Sequence, residues 1–263
     1  MSHATILAAE RAGQLRQAAL LSAVLAACLA SLALTGFFDA ERFLDAWPAV
    51  SQLADEMVPP DFTRWRAWVR PLLDTLAMSI AGTALAVMLS LPLALLAAPN
   101  TTPHRAVAAF ARLLLSALRS VPEIIMGILF VAAVGFGALP GVLALGLHSV
   151  GMVGKFYAES IEHVDPRPIE AARAAGATGL QVITHAVLPQ VLPQLADTTI
   201  YRWEYHFRAS AVLGIVGAGG IGFELIAALR LLDYAQVSAI LLAILACVLV
   251  VDGIGAALRR RLA

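Results

Sequence analysis

The sequence predicts an all-α polytopic membrane protein with about six transmembrane helices. Three observations carry this. Of 263 residues, 60% are hydrophobic and 14% charged, against about 25% charged in an ordinary soluble domain. Mean hydropathy is +0.82. The ionisable residues gather in a few stretches: between Asp74 and Arg105 there is only His104, and residues 234–251, between Asp233 and Asp252, carry no charge. About 20 apolar residues in a helix cross a ~30 Å hydrocarbon core. Helices satisfy their own backbone polar groups, which lipid demands. A soluble helical protein would not need several near-full-length apolar runs.

The first helix is placed at 18–38. Leu25-Ala26-Ala27-Cys28 resembles a lipoprotein cleavage box, but the uncharged run from Gln17 to Phe38 is long enough to span, which predicts a retained helix rather than a signal peptide. The second helix is placed at 71–98, with Pro71 at its start and Pro99-Asn100 closing it. The third runs 110–135, and the Gly135–Gly141 stretch with Pro140 turns the chain into the fourth at 140–160. The fifth and sixth are placed at 190–211 and 234–257. This divides the chain into an N-terminal segment, 1–70, holding the first helix and an outer loop, and a transmembrane domain, 71–263, with a cytoplasmic loop at 161–189.

Orientation follows from Lys and Arg in the loops. With the N-terminus inside, the inner segments hold ten: Arg11, Arg16, Arg105, Arg112, Lys155, Arg167, Arg173 and Arg259 to Arg261. The outer segments hold five: Arg42, Arg64, Arg66, Arg70 and Arg230, four of them in a loop with six acids. The bias predicts N-in and C-in. Net charge is zero, which points to no nucleic-acid partner. The two cysteines, Cys28 and Cys247, both lie in apolar runs and make neither a disulfide framework nor a multi-cysteine metal site. There is no Gly-x-x-x-x-Gly-Lys-Ser/Thr loop, no metal-protease His/Glu pair and no Gly-x-Ser-x-Gly elbow. We assign no catalytic or metal-binding residue.

The loop between the fourth and fifth helices carries the strongest signal. Asp165 can cap a short helix with Pro166 at its first position. Glu170 to Ala175 makes one or two turns with small side chains, and Gly176 can end it in a left-handed conformation. An amphipathic stretch, Gly179 to Leu188, follows and ends at Pro189. A short alanine-faced helix permits close approach by another surface; alternatively it lies on the membrane.

Glu170-Ala171-Ala172, then Gly176, Ile183 and Leu188-Pro189, resembles the EAA loop of ABC importer permeases. The resemblance implies a type I ABC importer permease fold. It implies that Glu170, Ala171, Ala172 and Gly176 couple this chain to a cytoplasmic ATPase. It further implies a homodimer in the bacterial cytoplasmic (inner) membrane, two ATPase subunits and an extracytoplasmic binding protein. ATP and Mg would sit on the ATPase subunits, with no cofactor bound by this chain.

Further segments resemble the phosphonate-transport branch: Pro59-Pro60-Asp61-Phe62, Arg119-Ser120-Val121-Pro122-Glu123, Leu147-His148, Gly154-Lys155 with Glu159, Tyr201-Arg202-Trp203-Glu204 and Arg208-Ala209-Ser210. Val216 to Gly222 is shared with methionine-type permeases, and Trp203 and His206 depart from the pattern. The cargo implied is a phosphonate-like oxyanion: phosphonate, phosphite or a phosphate ester.

Physics partly supports an anion, since intramembrane charges face the interior or a water-filled path and Arg matches phosphorus oxyanions. Arg119 and Glu123, four apart, are expected on one helical face, as are Glu204 and Arg208; Tyr201, Tyr205 and Arg208 make a further stripe. Arg119, Glu123, Tyr201, Glu204 and Arg208 are therefore pathway candidates, with structural salt bridges as the alternative. His148 is expected to be packed and hydrogen-bonded. Gly217, Gly219 and Gly220 are candidates for an outer gate or, equally, a tight turn. Rival readings are a permease for methionine or a sulfonate, an ion-coupled secondary transporter and an intramembrane enzyme. The second would need midplane carboxylates and inverted repeats, neither of which stands out.

Overall fold

A computed structural model describes residues 3–262, with side chains from Gly13 onward. Met1, Ser2 and Ala263, and the side chain of Arg11 used in the charge count, lie outside the described residues. The chain forms two units, Met1–Glu56 and Met57–Ala263.

In the first unit α1 (His3–Leu34) contains an apolar span, Gly13–Leu34. It ends at Leu34, short of the expected 38, because Gly36 adopts φ +75°. Phe37 N–H then donates to Leu32 O at 3.0 Å and Gly36 N–H to Ala33 O at 3.1 Å, the paired bonds of a left-handed helix stop. Next comes α2 (Ala40–Glu56), an amphipathic helix where an outer loop was expected.

The second unit opens with α3 (Trp65–Ala97), which begins before Pro71. Trp68, 2% exposed, packs with Ile221, Val237 and Ile240. The helix runs through Pro71.

The third predicted helix is broken in two. α4 (Arg105–Ser120) and α5 (Glu123–Val134) meet at 83°. Val121, before Pro122, is held extended at φ −89°, ψ 120°, as residues preceding proline are. Pro122 has no N–H with which to continue the helix. The freed Val121 carbonyl accepts from His148 Nδ1–H at 2.9 Å, so His148 is packed and bonded as expected.

After the turn at Gly135 and Gly137, α6 (Ala138–Glu162) runs along α3. Small residues permit this: Gly82 faces Leu145, and Gly146 faces Leu85. The segment 161–189 contains α7 (Pro166–Ala174) and α8 (Gly179–Val182). A π-turn, Ile183–Val187, leads directly into α9 (Leu188–Leu213). The stretch expected to stop at Pro189 is thus continuous with the fifth helix, the widened turn accommodating Pro189's missing donor. A 3-10 turn, Gly214–Val216, and an irregular link precede α10 (Ile221–Arg230), and α11 (Tyr234–Leu262) follows. Among the described residues four helices are long and apolar enough to cross a membrane, or up to six if each bent pair is one span.

Candidate translocation and coupling sites

α9 carries a polar cluster into the bundle interior. Its buried stripe runs Val191, Leu195, Arg202, His206, Ala209, Leu213, with polar residues taking the two middle places. Arg202 is 3% exposed and His206 fully buried. His206 sits between hydroxyls near the middle of α3 and of α6: Thr83 Oγ1 is 2.7 Å from Nδ1, and Ser149 Oγ is 2.6 Å from Nε2.

The proton positions follow from the partners. Thr83 Oγ1 donates to Ser79 O at 2.7 Å, so it accepts from His206 Nδ1–H. His206 Nε2 then accepts from the Ser149 hydroxyl, which itself accepts from Arg202 Nε–H at 2.8 Å. A one-way chain runs from Arg202 through Ser149, His206 and Thr83 to a backbone carbonyl, with the imidazole neutral. Buried polar groups left unpaired cost about 1–3 kcal/mol each, so this chain fixes the relative positions of α3, α6 and α9.

The Arg202 guanidinium lies 4.1 Å from the centre of the Tyr205 ring, and its Nη1 points at Met152 Sδ at 3.2 Å. Tyr205 O–H donates to Glu123 Oε1 at 2.8 Å. Two buried atoms here have no hydrogen-bond partner, Arg202 Nη2 and Glu123 Oε2. An unpaired guanidinium donor and an unpaired carboxylate acceptor thus flank one tyrosine.

The expected pairs resolve differently. Arg119 and Glu123 do not share a helical face, because the chain breaks between them at Pro122. Arg119 instead helps to wall a hollow of about 230 Å³ between α4 and α6, with Arg112 and Lys155. Glu204 and Arg208 do not pair along α9, because α11 offers closer partners. Arg208 Nη1 bonds Asp252 Oδ1 at 3.0 Å. Glu204, 6% exposed, has Arg259 Nη1 2.8 Å away, an ion pair by distance without hydrogen-bond alignment. Tyr201 is 57% exposed and does not join the cluster. Arg202 and His206 are the residues that sequence reasoning did not select; the apolar stripe that they interrupt was the available signal.

The glycine segment is irregular backbone. Gly217, Gly219 and Gly220 have φ of +95°, +77° and +69°, which side chains with a Cβ rarely adopt. Gly217 O accepts from Gly137 N–H at 3.2 Å, and the Phe136 ring covers Gly217. Phe136, Gly137, Gly217, Gly219 and Phe223 line an apolar hollow of about 400 Å³.

α7 forms as its residues predict. Asp165 Oδ1 accepts from Arg167 N–H at 2.9 Å, with Pro166 in the first turn. The Arg167 guanidinium, followed by that backbone N–H, holds the Asp165 carboxyl below its usual range. Gly176, at φ +82°, ends the helix, with Ala177 N–H donating to Ala172 O at 3.0 Å. Ile169 is buried and Ala172 half-buried against Ile161, Val182, Val187 and Val191. Glu170, Ala171 and Arg173 face outward. The helix is thus anchored by one face to the ends of α6 and α9 and offers the other.

The described helices thus form a bundle with bent spans and an anchored, outward-facing loop helix. Residues 90–263 match the family described as "Binding-protein-dependent transport system inner membrane component", and the chain belongs to that family. It is 67% identical over 225 residues to the phosphite transport system permease protein PtxC of Stutzerimonas stutzeri, covering 86% of this chain and 82% of that one. It is 43% identical over 217 residues to the phosphate-import permease protein PhnE of Mycolicibacterium smegmatis, covering 82% of this chain and 41% of that one. Among solved structures, the inward-facing MetNI methionine ABC transporter is similar at a TM-score of 0.65 and 22% identity, over 74% of this chain and 96% of that one. At that identity the likeness concerns the fold alone.

Proposed function

We propose that the chain is the permease subunit of an ATP-driven importer for small phosphorus oxyanions, phosphite or a phosphonate, delivered by an extracytoplasmic binding protein. The observation that carries this is the 67% identity with a phosphite permease across most of both chains. The buried guanidinium of Arg202, with one donor nitrogen unpaired, supports an anionic cargo.

In this reading two copies form the pore, oriented N-in and C-in, and two ATPase subunits bind ATP and Mg at the cytoplasmic face. Glu170 and Ala171 on α7 engage the ATPases, while Ala172 and Gly176 set the helix's seat and end. Closure of the ATPases pushes α7. Ile169 passes that displacement into the core formed by Ile161, Val187 and Val191, and so to α6 and α9, which carry Ser149, Arg202 and His206. The anion passes Arg202, Tyr205 and Glu123. Arg119 and Tyr201 remain pathway candidates outside that cluster. Glu204 and Arg208 tie α9 to α11, and Gly217, Gly219 and Gly220 give the outer end its freedom to open. Specificity rests mainly with the binding protein, because cargo held tightly in the pore would not leave.

The test is ATPase stimulation of the reconstituted permease–ATPase–binding-protein complex by a ligand panel. Phosphite and methylphosphonate are expected to stimulate, and methionine and taurine to be inert. Stimulation by methionine or taurine alone would contradict the assignment.

A further inference from the structure

α2 (Ala40–Glu56) is long for a connecting segment, and among the described residues it does not fold back along α1. Its two faces differ sharply. At helical spacing, Phe43, Leu44, Trp47, Val50 and Ala54 lie on one side, and Glu41, Asp45, Gln52 and Glu56 on the other. Phe43 is 59% exposed, Leu44 72%, Trp47 69% and Val50 54%. With Glu41, Arg42, Asp45, Asp55 and Glu56 in its sequence, the helix cannot cross a bilayer.

What the apolar face meets is constrained by the chain. α1 leaves its span at Leu34, and the connector 35–39 is short, so α2 starts within a few residues of the membrane surface. The connector is shaped. The Gly36 stop turns the chain, Asp39 pairs with Arg42 at 3.2 Å, and the Phe37 ring packs edge-on against Phe38 (5.7 Å) and Phe43 (6.1 Å). Helices that lie in the membrane interface carry Trp, Phe and Leu on their buried face, and here Phe37, Phe38, Phe43 and Trp47 follow one another closely at the exit of a span.

We infer that α2 is an interfacial helix lying in the plane of the bilayer surface where α1 emerges, with Phe43, Trp47 and Val50 sunk among the upper acyl chains. Such helices immerse by about 5–10 Å. The occupant of the apolar face is lipid. The acidic outer face means that apolar burial, not attraction to anionic headgroups, holds the helix down. It would fix the exit and tilt of α1.

The experiment uses the full chain, with Cys28 and Cys247 replaced by alanine, in phosphatidylcholine vesicles. Single cysteines at Val50 or Trp47, and at Asp45 or Gln52, carry a nitroxide whose accessibility to oxygen and to a water-soluble nickel chelate is read. The labels at 47 and 50 are expected to favour oxygen several-fold over those at 45 and 52, which favour nickel. Equal nickel access on both faces would place α2 in water and overturn the inference. Shielding of 47 and 50 from both reagents would mean that protein, such as a second copy, covers the face, and would overturn it too. The label at 50 leaves Phe43 and Trp47 intact, so a damaged anchor does not explain a failure there. Deeper immersion in phosphatidylglycerol vesicles would contradict the role given to apolar burial.

Discussion

Arg202 and Ser149 are joined across α9 and α6 by a 2.8 Å hydrogen bond from Nε to the hydroxyl oxygen. That same hydroxyl serves His206. Replacing Ser149 with Ala would strand one buried donor and one buried acceptor. Each costs about 1–3 kcal/mol, so S149A should lower the thermal midpoint of the detergent-solubilised permease by several degrees. An unchanged midpoint would remove the chain from the account.

Arg202→Lys keeps the charge but loses the planar fork. Binding-protein-dependent phosphite uptake should fall by about 10-fold or more, the equivalent of one charge-assisted hydrogen bond at about 1.5–3 kcal/mol. Assembly with the ATPase should survive. Wild-type uptake in R202K would show that the guanidinium is not on the path.

The Arg208–Asp252 contact is read as a tie between α9 and α11. Arg208→Asp or Asp252→Arg alone should destabilise the permease, and the double exchange should recover most of the loss. Both side chains are more than one-third exposed, so a gain of only about 0.2–1 kcal/mol is expected where water reaches the pair. If the double exchange restores stability but abolishes uptake, Arg208 returns to the pathway.

Gly176 ends α7 at φ +82°. Gly176→Ala imposes a left-handed conformation that costs a side-chain residue about 1–2 kcal/mol. ATPase stimulation should drop while the membrane bundle keeps its thermal midpoint. Glu170→Lys should abolish ATP-dependent uptake and weaken ATPase retention during purification, without unfolding, since Glu170 is exposed.

The cap of α7 sets a pH expectation. The Asp165 carboxyl is held below its usual range, so its contribution is present above the unfolded-state value and is lost as pH falls through the lowered one. ATPase binding should therefore be insensitive to Asp165 protonation near neutral pH. Asp165→Asn, which can still cap, should leave binding at pH 7 nearly intact.

The α7 loop was legible because its determinants are local: a capping Asp, a Pro in the first turn and a Gly at the stop all act within a dozen residues. The apolar spans were legible for the same reason. The break at Pro122 was readable in principle, since proline restricts its predecessor, but the apolar run across 110–135 masked it. α2 was hidden by its charges, although its apolar spacing of three and four was present. The partners of Glu204 and Arg208 were not legible. Three charges within seven residues look alike until α6 and α11 take their places, and only then is Arg202 turned inward while Arg208 reaches Asp252. His206 departs from the pattern of the resembling segments, but its bonds depend on hydroxyls more than fifty residues away.

The most direct test of the central claim is uptake of radiolabelled phosphite into proteoliposomes holding this permease, its ATPase partner and the binding protein. Accumulation is expected to require ATP and the binding protein and to disappear with Glu170→Lys. Uptake that proceeds without ATP, or survives that substitution unchanged, would contradict the claim.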